Sequence, residues 1–104
     1  MGSNTPGQGY HNNMVGPVMR AGDLAQAIIE AAREDNPGKE VFVDDKKAYI
    51  RIHTEHEMIL SRRSIEEALG RPFKMNDLEV DLSSFAGQIE SRDDSVRFYF
   101  TKRL

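Results

Sequence analysis

Hydrophobic residues in the first third of the chain follow a helical spacing that then gives way to strict alternation. Leu24, Ile28 and Ala31 recur on one helix face, and Asp23 precedes them as a candidate N-cap. The Asn-Pro-Gly sequence at 36–38 is a helix stop, because proline and glycine rarely continue a helix. These signals predict an amphipathic helix between a short apolar strand and a hairpin.

The predicted hairpin follows from an alternation with a period of two. Residues 41–43 and 48–52 place apolar side chains at every second position, and polar residues at 45–47 form the turn between them. One face of this hairpin is therefore expected to be buried. A second charged turn at 55–57 and a short strand at 58–60 follow.

The second half of the chain predicts a similar order of elements without repeating the sequence. Ser64 is a candidate N-cap for a short helix that Gly70 ends, and apolar residues at 73–78 predict another helical turn. Val80 and Leu82 alternate again, and residues 83–89 lead into a strand. In the last hairpin, Val96, Phe98 and Phe100 are expected to face inward.

Together these elements predict an α+β protein with the order β-α-β-β followed by β-α-α-β-β. We expect mostly antiparallel sheets and two main helices. Residues 1–13 are rich in Gly, Asn, Ser and Pro, so they are predicted to be a mobile tail. Residues 14–104 form the single predicted domain, as the length of the chain also suggests.

The charge and composition exclude several classes of function. The net charge is −3 and the isoelectric point is about 5.6, which argues against a nucleic-acid-binding protein. There is no cysteine, so thiolate metal sites, disulfides and cysteine nucleophiles are excluded. No apolar run approaches the roughly 18 residues of a membrane span, and the N-terminus does not resemble a signal peptide. We therefore expect a cytoplasmic protein without a membrane partner.

The residues capable of chemistry do not form a recognisable catalytic or metal site. His53 and His56 lie among glutamates, but their spacing matches no common zinc motif and favours a charged turn. The aromatic strand at 97–100 lacks the sequence pattern of RNA-recognition sheets. Its phenylalanines fall on the side of the strand that is expected to be buried. No catalytic, cofactor-binding or metal-binding residue is assigned, which favours an interaction protein over an enzyme.

Six segments of the chain, taken in order, resemble the effector proteins of toluene monooxygenases. The wider family includes the methane monooxygenase regulatory protein and the phenol hydroxylase coupling protein. The segments are HNNMVGPVMRAGD (11–23), DNPGKE (35–40), AYIRI (48–52), LGRPF (69–73), SSFAGQI (83–89) and RFYF (97–100). No single segment is a signature, but their order and spacing are specific.

The resemblance implies a protein without metal, flavin or heme that is not itself an enzyme. Its implied partner is a large diiron hydroxylase, which a reductase and, in the toluene systems, a Rieske ferredoxin supply with electrons. Such effectors dock above the diiron centre and change rate, coupling and regiospecificity. We expect the free protein to be a monomer.

The resemblance also implies where this chain contacts the hydroxylase. Ser83, Ser84, Phe85 and Gly87 match a segment that faces the hydroxylase's substrate entrance in family members. The methane protein has threonine where this chain has Phe85, so whether Phe85 gates or packs in the core stays open. Asn12, Asn13 and Val15, near the N-terminus, also match the toluene effectors, so the resemblance implies a contact with the hydroxylase there as well.

Two other functions remain as alternatives. A small-ligand-binding regulatory domain needs an apolar pocket with a few polar groups, which the sequence does not reveal. A minimal enzyme with a carboxylate base has no supporting arrangement of residues. Titration with aromatic hydrocarbons distinguishes the first alternative, and turnover by the isolated chain distinguishes the second.

Overall fold

A computed structural model describes residues 13–100, so Asn12 lies outside the described residues. The strands are β1 (Met14–Arg20), β2 (Phe42–Asp45), β3 (Tyr49–Glu55), β4 (Glu57–Ser61), β5 (Leu82–Ala86), β6 (Gln88–Ser91) and β7 (Ser95–Tyr99). The helices are α1 (Asp23–Asp35), α2 (Arg62–Leu69) and α3 (Leu78–Asp81), with a 3-10 turn at Met75–Asp77 before α3. The predicted α+β class and order are confirmed, and Gly87 divides the region after α3 into separate strands β5 and β6.

The strands form two antiparallel sheets. The first has the order β2-β3-β1-β5, and the second has the order β4-β7-β6. Only one residue separates the sheets at each of two crossings: His56 lies between β3 and β4, and Gly87 lies between β5 and β6. Both residues have a positive φ, of 68° and 91° respectively, which turns the chain sharply. The two sheets are therefore joined by very short connections.

The core lies between the inner faces of the sheets and the apolar faces of α1 and α2. Helix α1 buries six residues, four of which are alanines, so small side chains face the interior there. Ile28 of α1, Ile52 of β3 and Phe98 of β7 are fully buried. Burial of each such large side chain stabilises the fold by about 1.5–3 kcal/mol.

The C-terminal end of α1 is joined to the start of α2 by polar contacts. The Asp35 carboxylate accepts hydrogen bonds from the Ser61 N–H at 2.7 Å and from the Ser64 hydroxyl at 2.6 Å. Ser64 is buried, and its N–H donates to the Ser61 hydroxyl oxygen at 3.1 Å. Ser61 is thus the N-cap of α2, and the prediction that Ser64 caps it was wrong. The helix starts earlier because β4 leads into it without a loop.

The start of α1 also differs from the prediction. Gly22 occupies the N-cap position, and its carbonyl accepts from the Gln26 N–H at 3.1 Å without any side-chain cap. Asp23 instead lies in the first turn, where its negative charge interacts favourably with the helix dipole. Val80, predicted to be in a strand, lies in α3 and is 74% exposed.

Strand β2 departs from the expectation of one buried face. All four of its residues are exposed, although β2 pairs with β3 as predicted. It is the outermost strand of its sheet, so it reaches past the edge of the core. Phe100 is likewise 36% exposed, because it follows the last residue of β7 and lies beyond the second sheet.

Candidate interaction surface

Strand β5 presents different residues to the two sides of the first sheet. The register pairs Val18 with Ser84 and Pro17 with Phe85. Pro17 is fully buried, whereas Val18 is half-buried, so Phe85 shares the core side and Ser84 the other. We call this second side the outer face, and it carries Val18, Phe42, Arg51, His53 and Ser84.

Phe85 is both packed and exposed. Its ring lies 5.9 Å from the ring of Phe98, centroid to centroid, at an angle of 52°, which is a favourable tilted aromatic contact. Yet 41% of Phe85 remains exposed to solvent. The Phe85 ring therefore contacts the core and also reaches the surface.

Ser83 occupies an irregular position in the strand. The pairing of β1 with β5 shifts between Val18 and Met19, so Ser83 has no direct partner in the register. Such a bulge bends the strand and increases its local twist. Ser83 and Ser84 are both exposed, and their hydroxyls are available to a partner.

Gly87 is exposed, and it packs closely on the buried side chain of Val15. A Cβ on Gly87 would lie 2.7 Å from Val15 Cγ1 and 2.6 Å from the Tyr99 carbonyl oxygen. Val15 is fully buried, and its side chain supports the turn at Gly87 from beneath. A direct contact of Val15 with the hydroxylase stays a prediction.

Asn13 lies where β1 begins, next to the crossing at His56. The Asn13 carbonyl accepts from the His56 N–H at 2.7 Å, and the His56 carbonyl accepts from the Phe100 N–H at 3.0 Å. Lys39 reinforces the same crossing by donating to the carbonyls of Glu55 and Glu57. The start of β1 is therefore fixed to the junction between the sheets.

The outer face combines apolar and charged groups. Phe42 and His53 are cross-strand neighbours, and the oppositely charged Asp44 and Arg51 form the next pair on the same face of the sheet. Burial lowers the pKa of His53 below its ordinary value of 6.5, with a further decrease from the Arg51 guanidinium, while Asp44 opposes it. His53 Nε2 is buried without a hydrogen-bonding partner. The neutral imidazole is thus favoured on this face.

A second charged cluster lies on the other sheet. Arg97 contacts the carboxylates of Glu57 and Glu90, and its guanidinium lies 4.1 Å above the ring of Tyr99. The hydrogen bond to Glu57 raises the pKa of Arg97, and the hydrogen bonds from Arg92 and Arg97 lower the pKa of Glu90. These groups are partly exposed and neutralise one another, so the cluster is a cross-strand ion-pair ladder.

Sequence reasoning missed part of this arrangement. It assigned Ser83, Ser84 and Phe85 to one segment, whereas the register separates Ser84 from Phe85. It also overlooked Val18 and Phe42 on the outer face, although the alternation already placed them on the side of the strand that faces away from the core. Across residues 13–100 no group of three metal-ligating side chains comes together, and no helix there is long and apolar enough to span a membrane.

Comparison with known proteins identifies the family. Residues 13–99 match the model of the MmoB/DmpM family. The effector subunit of the alkene monooxygenase system of Xanthobacter autotrophicus is 49% identical over 98 residues, covering 94% of this chain and 97% of that protein. The stimulatory component DmpM of phenol 2-monooxygenase from Pseudomonas sp. is 33% identical over 72 residues, covering 69% and 78%.

Solved structures agree with this assignment. A chain in the phenol hydroxylase–regulatory protein complex superimposes with a TM-score of 0.72 at 28% identity, covering 85% of this chain and 99% of that one. The soluble methane monooxygenase regulatory protein B gives a TM-score of 0.63 at 25% identity, covering 86% and 66%. The chain therefore belongs to the MmoB/DmpM family, whose members named above are effector, stimulatory and regulatory components rather than catalytic ones.

Proposed function

We propose that this chain is the cofactor-free effector protein of a multicomponent monooxygenase and binds a diiron hydroxylase. The observation that carries the proposal is its 49% identity, over nearly its full length, with an alkene monooxygenase effector. The similarity to a chain of the phenol hydroxylase–regulatory protein complex supports a hydroxylase as the partner. In this role the protein is cytoplasmic, and it is a monomer when it is not bound to the hydroxylase.

The docking surface is proposed to be the outer face together with the exposed residues of β5. Ser83 and Ser84 offer hydroxyls, and Phe42 and Val18 offer apolar area on the same sheet. Protein interfaces commonly combine apolar area with polar groups that form hydrogen bonds to the partner. Asn13 extends this surface at the start of β1, where its carbonyl accepts from the His56 N–H. Asn12, which lies outside the described residues, is proposed as a contact from the resemblance alone.

The effector acts by binding one conformation of the hydroxylase more tightly than another. A protein can shift an equilibrium only by its difference in affinity for the two states. A hundredfold preference corresponds to about 2.7 kcal/mol, which an ordinary interface of roughly 800 Å² per partner readily supplies. Such a shift changes the rate, the coupling of NADH use to product, and the regiospecificity.

The substrate of the partner is proposed to be a small apolar hydrocarbon. The six segments that resemble toluene effectors favour an aromatic ring, and toluene is therefore the first substrate to test. The two relatives named above serve alkene and phenol monooxygenases. A comparison of toluene with propene distinguishes an aromatic system from an alkene system.

The test is reconstitution of the hydroxylase with its electron-transfer proteins and increasing amounts of this chain. We expect saturable stimulation of product formed per NADH consumed. A heat-denatured sample of the same chain is the control for nonspecific protein effects. The proposal fails if neither an aromatic nor an alkene hydroxylase responds while the chain remains folded by circular dichroism.

A further inference from the structure

A cleft of about 330 Å³ lies between β5, β6 and α3, on the core side of both sheets. Leu82 and Phe85 of β5 and Ile89 of β6 line it, and Leu78 and Val96 belong to the buried core beneath. Leu82 and Ile89 are only half-buried, although they pack against the core. The structure therefore leaves apolar side chains open to solvent at this place.

The lining of the cleft combines apolar residues with a few exposed polar ones. The polar residues are Asn76 in the turn before α3, Glu79 in α3, Ser91 at the end of β6 and Arg92 directly after it. An apolar interior with a few polar groups around it is the usual pattern of a small-molecule site. An apolar cavity of about 150 Å³ in a protein core is known to hold benzene, so this cleft has room for one aromatic ring.

We propose that the cleft binds a single small apolar molecule, of the class of single-ring aromatic hydrocarbons or short alkenes. That this molecule is also the hydroxylase's substrate rests on the proposed function, whereas the binding site itself does not. The driving force is removal of the exposed apolar surface of Leu82, Phe85 and Ile89 from water.

Phe85 connects this cleft to the surface proposed for docking. Its ring forms one wall and contacts Phe98, while the preceding residue, Ser84, lies on the outer face. An occupant that covers the exposed part of Phe85 also restricts the rotamers of this ring. Occupancy of the cleft and docking of the hydroxylase are therefore coupled through adjacent residues of one strand.

The test is titration of the isolated full-length chain with toluene, and separately with propene, followed by NMR of the methyl groups. We expect saturable shifts confined to the methyl-bearing residues of the lining, namely Met75, Leu78, Leu82, Ile89 and Val96. Shifts that grow linearly without saturation, or that spread over the whole surface, overturn the proposal.

A pair of matched variants provides the decisive comparison. Ile89→Phe fills the cleft from β6, whereas Ile59→Phe adds the same ring to an exposed position on β4 of the same sheet. We expect Ile89→Phe to weaken toluene binding by about tenfold or more. The phenylalanine ring occupies the space that toluene would fill, and placing both there is sterically unfavourable. Ile59→Phe should leave the affinity unchanged, and equal affinities in the two folded variants contradict the proposal.

Failure of this inference is distinguishable from failure of the proposed function. Ligand binding is measured without the hydroxylase, and stimulation of the hydroxylase is measured without reference to the cleft. A chain that stimulates turnover but shows no saturable toluene shift retains its proposed function and loses the ligand site.

Discussion

The side chain of Asn36 binds both backbone groups of Ile59. Its amide oxygen accepts the Ile59 N–H at 2.9 Å, and its amide nitrogen donates to the Ile59 carbonyl at 2.8 Å. The same nitrogen donates to the Ala32 carbonyl in the last turn of α1 at 2.8 Å. Because β4 is an edge strand, Asn36 occupies the hydrogen-bonding edge that a further strand would use.

Replacing Asn36 should therefore destabilise the fold. Asn36→Ala removes three hydrogen bonds at a buried position, and we expect the free energy of unfolding to decrease by about 2–4 kcal/mol. Urea unfolding followed by circular dichroism measures the effect. Asn76→Ala, at an exposed asparagine, is the matched control and should change stability by less than about 0.5 kcal/mol. Equal losses in both variants would contradict the role assigned to Asn36.

Gly87 and Gly38 allow steric crowding to be separated from backbone strain. Both have a positive φ, but a Cβ on Gly38 meets nothing within 4 Å, whereas one on Gly87 clashes with Val15 and Tyr99. We expect Gly38→Ala to cost about 1 kcal/mol and Gly87→Ala to cost at least about 2 kcal/mol more. Thermal unfolding of both variants checks this. If the two losses are equal, Gly87 is not crowded, and any effect on the hydroxylase arises from docking.

His53 predicts how stability depends on pH. Its pKa is lower in the folded state than its ordinary value of 6.5, mainly because of burial. The unfolded chain therefore binds a proton first as the pH falls, so this contribution is complete above about pH 6.5 and is lost below it. Urea midpoints at about pH 8 and about pH 5.5 should differ less for His53→Gln than for the parent chain. A parallel decrease in both proteins would assign the acid sensitivity to other groups.

A charge placed on the outer face tests docking. Ser84→Arg introduces a large cation at an exposed position, and we expect the concentration for half-maximal hydroxylase stimulation to rise about tenfold or more. Gln26→Arg adds the same charge to an exposed position of α1 and should have little effect. Melting temperatures of both variants establish that the fold is intact. A similar rise in both variants would point to net charge rather than to the outer face.

The order of elements was predictable because alternation and helical spacing are local properties of the sequence. The hairpin of β2 and β3 and the helix stop at 36–38 were both correctly predicted from such signals. The predicted N-caps Asp23 and Ser64 were wrong, because Gly22 and Ser61 occupy the N-cap positions. Where each helix begins depends on where the preceding strand ends, which the local sequence does not show.

The candidate surface was less predictable, since it depends on pairing between distant strands. A bulge at Ser83 changes which side Ser84 and Phe85 occupy, and no local pattern reveals a bulge. The role of Asn36 was hidden for the same reason: as part of an Asn-Pro-Gly sequence it resembles an ordinary helix stop, and its partner Ile59 is 23 residues away. Long-range register decides both features.

The one-residue crossings at His56 and Gly87 have a mechanical consequence. Two sheets tied at two points by single residues have little slack, so neither sheet can rotate far without breaking the contacts of the other. A stiff body loses little conformational entropy when it binds, and it can impose its shape on a more deformable partner. The proposed partner of this protein is a much larger enzyme whose conformation shifts on binding. A rigid effector is expected to keep its own conformation in the complex, so that the hydroxylase is the component that changes shape.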